Sequence, residues 1–341
     1  MSCFSNVALR GQSCKNQDLT PLPTILSPVD FSDASRGALR YAGVLAEHFG
    51  GHLVILTVED PLLTEAVSLA TGADWNPEHT RQETARFAVS VLGHGRPRGV
   101  TGEFEVAVGK PANEILKVAQ QRPCDLIVMS SHGLTGVRKL FFGSTTERVL
   151  RETTVPVLVT PPSDPGPDQF DEVGRTVGRI LVPVDLSSAA LRQVRIARAL
   201  SEALHVPFIV THVVEPVRSP LAARLHLPGI EQERRTRAEN ALRDLLANAP
   251  PALQPEALVV YGDPAEEVAK VARDRRAGLI VLGLHGSPVI GARMGSVTYR
   301  VLCLTPALVL AVPPLPVPKE DEWLEWSSRR APVDTRAANE P

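Results

Sequence analysis

The sequence predicts an α/β protein made of two tandem domains, each a parallel sheet with helices on both faces. Three observations carry this. Short apolar runs alternate with helix-period segments along the chain. The string Ile25-Leu26-Ser27-Pro28-Val29-Asp30-Phe31-Ser32 returns as Ile180-Leu181-Val182-Pro183-Val184-Asp185-Leu186-Ser187, an offset of about 150 residues, a domain length rather than a solenoid period. Glycine-bearing loops return with it. Ser130-Ser131-His132-Gly133 leads to Gly143-Ser144-Thr145, and Gly283-Leu284-His285-Gly286 leads to Gly295-Ser296-Val297.

The elements follow in order. Residues 1–22 are polar and turn-rich and read as a flexible tail. Thr24–Val29 is a short apolar strand. Asp33–Phe49 carries Leu39, Ala42, Leu45, Ala46 and Phe49 at helical spacing, with Ser32 or Asp33 as N-cap and Gly50-Gly51 as the stop. His52–Val58 is β-branched and aliphatic, hence a strand. Pro77–Leu92 is a helix with proline in its first turn. Glu103–Val108 alternates as a strand, and Pro111–Gln121 is a second helix that opens on proline. Asp125–Met129 is a strand apolar enough to be buried on both faces. Ser144–Glu152 is a short helix, and Pro156–Thr160 is a final strand.

Pro161–Gly178 is rich in proline, glycine and acid and reads as a linker. The second copy repeats the order over Arg179–Val184, Ser188–Ala203, Phe208–Val214, Gly229–Ala249, Ala257–Val260, Pro264–Arg275, Leu279–Gly283, Gly295–Cys303 and Ala307–Val312. The domains are therefore expected at 23–162 and 179–314, with 163–178 between them. A C-terminal tail over 315–341 has Trp323 and Trp326 as its only large anchors, read as a docking contact.

Composition narrows the partners. The 341 residues can bury two cores. A net charge of −2, from 36 basic and 38 acidic side chains, gives no electrostatic case for nucleic acid or an anionic membrane. No apolar run reaches membrane-spanning length, and no signal peptide is expected. The four cysteines, Cys3, Cys14, Cys124 and Cys303, lack zinc spacing. Cys124 and Cys303 sit at or near apolar runs and read as small hydrophobes in a reducing compartment.

The loops carry the chemistry. Parallel sheets bind ligands beyond the carboxyl ends of their strands, where Asp30, Gly109 and Ser130–Gly133 fall. The Ser130-x2-Gly133-x9-Gly143-Ser144-Thr145 segment leaves a strand and opens a helix. A helix N-terminus offers unpaired N–H groups and partial positive charge, which suit phosphate. Glycine lets the backbone approach an oxyanion closely. Ser144 and Thr145 can add hydroxyl donors or simply cap the helix. A tight turn with no ligand is the bland alternative, and recurrence in the second half weighs against it.

Through these residues the chain resembles a tandem member of the universal stress protein family, of the ATP-binding type. The matching strings are ILSPVDFS and ILVPVDLS, VGKPANEIL and YGDPAEEV, the glycine loops, GSTTERVL and GSVTYRVL, and the strand ends VPVLVT and PALVLAV. The resemblance implies a Rossmann-like, five-stranded parallel sheet in the order 3-2-1-4-5 in each half. It also implies an adenine nucleotide as ligand: ATP, or ADP or AMP, with Mg2+ admissible beside ATP. Carried over, Asp30, flanked by Pro28 and Val29, would lie near adenine and ribose, and Val58 would line the adenine pocket. Gly109 would lie near the ribose. Met129, Ser130 and Gly133 would run alongside ribose and phosphates, and Gly143, Ser144 and Thr145 would hold the phosphates. The second-half counterparts are Pro183, Val184, Asp185, Val213, Gly262, Gly283, Gly286, Gly295, Ser296 and Val297.

The chain departs from the family pattern Gly-x2-Gly-x9-Gly-Ser/Thr. Ser130 replaces the first glycine of the first half. The second loop is one residue shorter between Gly286 and Gly295, and Pro288 within it removes a backbone donor. The first site is therefore expected to be the better formed.

Other residues have simpler readings. Asp30 alone would cap a turn, and its recurrence as Asp185 argues for more. His132 and His285 read as hydrogen-bonding loop residues with no partner for base work. Lys110 lies in no Gly-x4-Gly-Lys-Ser/Thr string. Glu231–Arg237 reads as the wet face of a helix, and Arg138 and Lys139 as solvated loop charge.

The leading expectation is a cytoplasmic, nucleotide-binding regulatory or stress-response protein, with no catalytic residue and no metal site of its own. One alternative is a slow ATPase or a self-phosphorylating enzyme with Ser144 in contact with phosphate or as its acceptor. Another is a scaffold that binds no nucleotide. Val155–Thr160 and Ala307–Val312 are apolar edges expected to pair within the chain as a pseudo-dimer, with a homodimer of chains as a further option.

Overall fold

The computed structural model describes residues 23–71, 75–93, 101–132, 143–187, 190–216, 228–247, 255–284 and 295–313. The first half runs β1 (Thr24–Val29), α1 (Asp33–Phe49), β2 (His52–Glu59), α2 (Pro61–Thr71), α3 (Pro77–Leu92), β3 (Thr101–Val108), α4 (Pro111–Gln121), β4 (Leu126–Ser130), α5 (Ser144–Glu152) and β5 (Val157–Thr160). A connecting helix α6 (Phe170–Val177) leads to the second half. That half is β6 (Ile180–Pro183), α7 (Ala190–Leu204), β7 (Phe208–Val214), α8 (Pro228–Leu246), β8 (Glu256–Tyr261), α9 (Pro264–Asp274), β9 (Leu279–Gly283), α10 (Ser296–Leu304) and β10 (Leu308–Val312).

The ends of α1 form where the sequence signals placed them, and other helices open on side-chain caps of the same kind. Ser32 is the N-cap of α1, its hydroxyl accepting from the Ser35 N–H, and Gly50 closes the helix in the left-handed conformation at φ 64. Asn76 caps α3 and Pro77 takes its first turn. Asp263 does the same for α9 ahead of Pro264.

All strands lie in one ten-stranded sheet, ordered β3-β2-β1-β4-β5-β10-β9-β6-β7-β8. Each half thus has the order 3-2-1-4-5. All pairs within a half are parallel. Among the described residues one antiparallel pair joins the halves: β5 meets β10 in the register Val157–Ala311, Leu158–Leu310 and Val159–Val309. Within each half Leu158 pairs with Val128 and Leu310 with Val281, so the two leucines are equivalent residues of the repeat. They face each other on a local two-fold axis, an isologous contact built within one chain.

Period-two alternation sorts the core into two layers. Ile25, Val29, Val128, Leu158, Val182 and Leu310 pack with α1, α3, α6, α7 and α8 on one face. Leu26, Ile127, Met129, Val159, Leu181 and Ala311 pack with α4, α5, α9 and α10 on the other. Full burial of such a side chain contributes about 1.5–3 kcal/mol.

The 163–178 segment read as a linker is more than a tether. Its helix α6 buries Val173 and Val177, and Phe170 stacks on His48 with ring centroids 3.4 Å apart. Upstream, the Asp164 carbonyl lies so close to α1 that a Cβ on Gly37 would come 2.0 Å from it. The Tyr41 hydroxyl donates to the Asp164 carboxylate at 3.0 Å. The connection is therefore packed under the seam.

Candidate functional site

The site residues named from the sequence gather at one edge of each half-sheet. Pro28, Val29 and Asp30 end β1; Val58 lies near the end of β2; Gly109 follows β3; Met129 and Ser130 end β4; Gly143, Ser144 and Thr145 open α5. Because β1 lies between β2 and β4, the strand order reverses between β1 and β4, where a crevice opens. Pro183, Val184, Asp185, Val213, Gly262, Gly283, Gly295, Ser296 and Val297 occupy the same places in the second half. Gly133 and Gly286, and with them Arg138, Lys139, His285 and Pro288, lie outside the described residues.

Each cradle is stapled by the same bonds. The Gly143 N–H donates to the Ser131 carbonyl at 2.9 Å, and Gly295 donates to Leu284 at 3.0 Å. The Ser131 N–H in turn donates to the Thr160 carbonyl, and Leu284 to Val312, both at 2.9 Å. The Thr146 hydroxyl donates to the Ser130 carbonyl at 2.8 Å and Thr298 to the Gly283 carbonyl at 3.0 Å. These bonds fix a helix N-terminus against the end of a central strand. The N-cap residues of α5 and α10 are glycines and make no side-chain cap bond, so among the described residues no side chain takes up the first-turn N–H groups. Ser144 and Ser296, the first helical residues, are exposed. Thr146 and Thr298 were not singled out from the sequence; their recurrence two residues after each serine was the available signal.

Glycine is required unequally. A Cβ on Gly143 would lie 2.9 Å from the Ser131 carbonyl oxygen, whereas on Gly295 the nearest atom is 3.8 Å away. Gly109 and Gly262 face a different neighbour: a Cβ would meet the Cγ of Glu114 at 2.9 Å and of Glu267 at 2.8 Å. The backbone is folded tightly over the first turns of α4 and α9.

The two aspartates share a turn. Asp30 Oδ1 accepts from the Ser32 N–H at 3.1 Å and from its hydroxyl at 2.5 Å. Asp185 Oδ1 accepts from the Ser187 N–H at 2.9 Å. The residue after each aspartate is left-handed without being glycine, Phe31 at φ 63 and Leu186 at φ 61. Such a conformation costs about 1–3 kcal/mol, and recurrent strain of this kind clusters at binding sites. His132 is tied locally, its Nδ1 3.0 Å from the Ser131 hydroxyl.

The second half shows a cleft of about 400 Å3 lined by Asp185, Val213, Gly283, Gly295, Ser296 and Val297 together with Arg192, Gln193, His212 and Glu215. The last four were not read from the sequence. Their first-half counterparts by strand and helix register are Gly37, Ala38, Thr57 and Asp60, so the clefts are related but not identical. Elsewhere, the Glu231–Arg237 run is an exposed helix face with Arg237 paired to Glu233 and Arg235 to Glu239. No helix among the described residues is long and apolar enough to cross a membrane.

Comparison with known proteins gives the same picture for each half. The model of the universal stress protein family matches residues 22–161 and again 176–313. Universal stress protein MJ0531 of Methanocaldococcus jannaschii is 33% identical over 137 residues, 40% of this chain and 79% of that protein. Universal stress protein YxiE of Bacillus subtilis is 34% identical over 143 residues, 40% of this chain and 96% of its own length. Among solved structures, a universal stress protein from Archaeoglobus fulgidus superposes with a TM-score of 0.54 at 22% identity, covering 85% of this chain and 96% of that one. A functionally unknown Pseudomonas aeruginosa protein, PA1789, reaches 0.60 at 17% identity, covering 91% and 98%. Both likenesses run across the two halves together and bear on the fold. A family model matched twice, on two half-sheets with one topology and one stapled cradle each, makes this chain a member of the universal stress protein family, carrying its domain in tandem.

Proposed function

We propose that the protein binds an adenine nucleotide, ATP foremost and otherwise ADP or AMP, at the mouths of both half-sheets. In this reading it works in the cytoplasm as a nucleotide-responsive regulatory or stress-response protein. One observation carries it: a helix N-terminus that opens on a glycine cap, held by the same backbone bonds against a central strand in both halves, with a strained aspartate turn at the same sheet edge. That pairs a helix end suited to an anion with a carboxylate at the mouth of the same half-sheet. The backbone at Gly143 has no room for a side chain on its strand side, as a close-fitting phosphate cradle needs. Asp30 and Asp185 would face the base and ribose; Ser144, Thr145, Ser296 and Val297 would meet the phosphates.

Among the described residues no group of three or more His, Cys, Asp or Glu side chains is arranged to hold a metal ion. A Mg2+ arriving with ATP would bring the phosphate oxygens as ligands of its own. Binding would act by favouring one conformation or partner contact over another. Nucleotide extracted from the purified full-length chain and identified by mass spectrometry tests the reading. Adenine nucleotide in the wild type, reduced in Gly143→Asp, supports it; protein free of nucleotide that also fails to take up ATP, ADP or AMP contradicts it. A steady ATPase rate that disappears in Ser144→Ala would instead favour the enzyme alternative.

A further inference from the structure

The second cleft contains a side chain in a state that its surroundings fix. His212 lies on β7, beside Val213 and across from the end of β6, and it lines the cleft. Its Nδ1 is 2.8 Å from the Val184 carbonyl oxygen. A carbonyl only accepts, so the proton is on Nδ1. In the neutral ring the other nitrogen, Nε2, is then an acceptor, and no described group occupies it. His212 is half-buried and sits between Val184–Asp185 and Val213, the residues assigned to the base in the proposed reading.

The first half has no histidine at the equivalent register position. Thr57 holds that register position, and its hydroxyl is 2.7 Å from the Thr84 hydroxyl. Thr84 gives its own proton to the Thr80 carbonyl at 2.8 Å. Thr57 is therefore the donor of the pair, and it is buried among these threonines. The polar group has turned inward in one half and lines the cleft in the other.

We infer that His212 is a specificity-determining residue of the second cleft, accepting through Nε2 a hydrogen bond from the exocyclic amine of a 6-amino purine. The inference rests on nucleotide binding in that cleft. A 6-oxo purine presents an acceptor at the same position, so two lone pairs would face each other and the group would lose its partner. The second cleft should therefore prefer ATP over ITP, and the first should discriminate less.

The test is a calorimetric titration at pH 8 with ATP and with ITP. The proteins are the full chain carrying Gly143→Asp, which removes the first cradle, and the same protein with His212→Leu added. The expected result is a preference for ATP of about tenfold or more that falls toward one in the double variant, through weakened ATP binding with ITP little changed. An equal loss for both nucleotides, or an unchanged ratio, overturns the inference while leaving nucleotide binding intact. If the second cleft takes up neither nucleotide, the inference fails together with the reading beneath it. A nitrogen-15 imidazole spectrum of the wild-type chain provides a second readout independent of the Gly143 variant. The His212 Nε2 signal, assigned by its absence in His212→Leu, should shift with ATP and not with ITP; no shift with ATP overturns the assignment.

Discussion

Replacing Gly143 by alanine should cost far more than the same change at Gly295, although the two residues are equivalent N-caps. At Gly143 the new methyl would lie 2.9 Å from the Ser131 carbonyl oxygen and 3.5 Å from the His132 Cα. Both are backbone atoms of the strand end, and no rotamer change relieves them. The helix must slide off β4, straining the Gly143–Ser131 bond at 2.9 Å and the Thr146–Ser130 bond at 2.8 Å. Overpacking of this kind costs about 1–3 kcal/mol. At Gly295 the nearest atom is 3.8 Å away, an ordinary contact. The loss of a favourable cap residue is common to both variants, so their difference isolates the clash at about 1–3 kcal/mol. Hydrogen exchange read on α5 and α10 separately measures each local opening free energy in the full chain. Equal destabilisation of the two helices, or a larger effect at Gly295, would show that the Ser131 carbonyl does not exclude a Cβ at Gly143.

Thr146→Val removes a buried donor to the Ser130 carbonyl and should cost about 1–3 kcal/mol, seen as faster exchange at the first turn of α5; an unchanged rate would show that the staple carries no strain. Burial, followed by the charge of Asp164, raises the Tyr41 phenol well above its ordinary value. The unfolded chain then loses this proton first, so stability should hold up to about pH 10 and fall above it, and urea midpoints for Tyr41→Phe should lack that part of the alkaline decline. Burial pushes the Cys124 thiol up to about 12, so iodoacetamide at pH 8 should leave it unmodified in the folded chain and label it only after denaturation; peptide mass mapping reads this directly.

Much of the architecture is legible in the sequence because periodicity and caps agree locally. Asp33–Phe49 shows it: an apolar stripe, a serine cap and a glycine stop coincide, and the helix spans those residues. Two helices are not legible, for different reasons. Phe170–Val177 lies in a proline- and glycine-rich stretch and is helical because Phe170, Val173 and Val177 pack into the seam, a tertiary cause. Pro61–Thr71 is apolar without a clean stripe, and Leu62 and Leu69 remain 75% and 80% exposed, so no periodic burial announces it. At the site, Asp30, Gly109 and Ser130 are readable as strand ends because strand and helix patterns alternate there, while the assignment of the other residues rests on the family resemblance. His212, Gln193 and Arg192 are not: their role depends on which way a strand residue turns and on a cleft formed by distant elements. The left-handed Phe31 and Leu186 also escape pattern reading, since neither residue type favours φ near 60°.

In the proposed function two stapled backbone cradles hold adenine nucleotides. Calorimetric titration of nucleotide-free full-length chain with ATP tests it most directly. Saturable binding is predicted, with one equivalent lost in Gly143→Asp and the other retained. No binding of ATP, ADP or AMP up to millimolar concentration, or binding indifferent to that substitution, would contradict it.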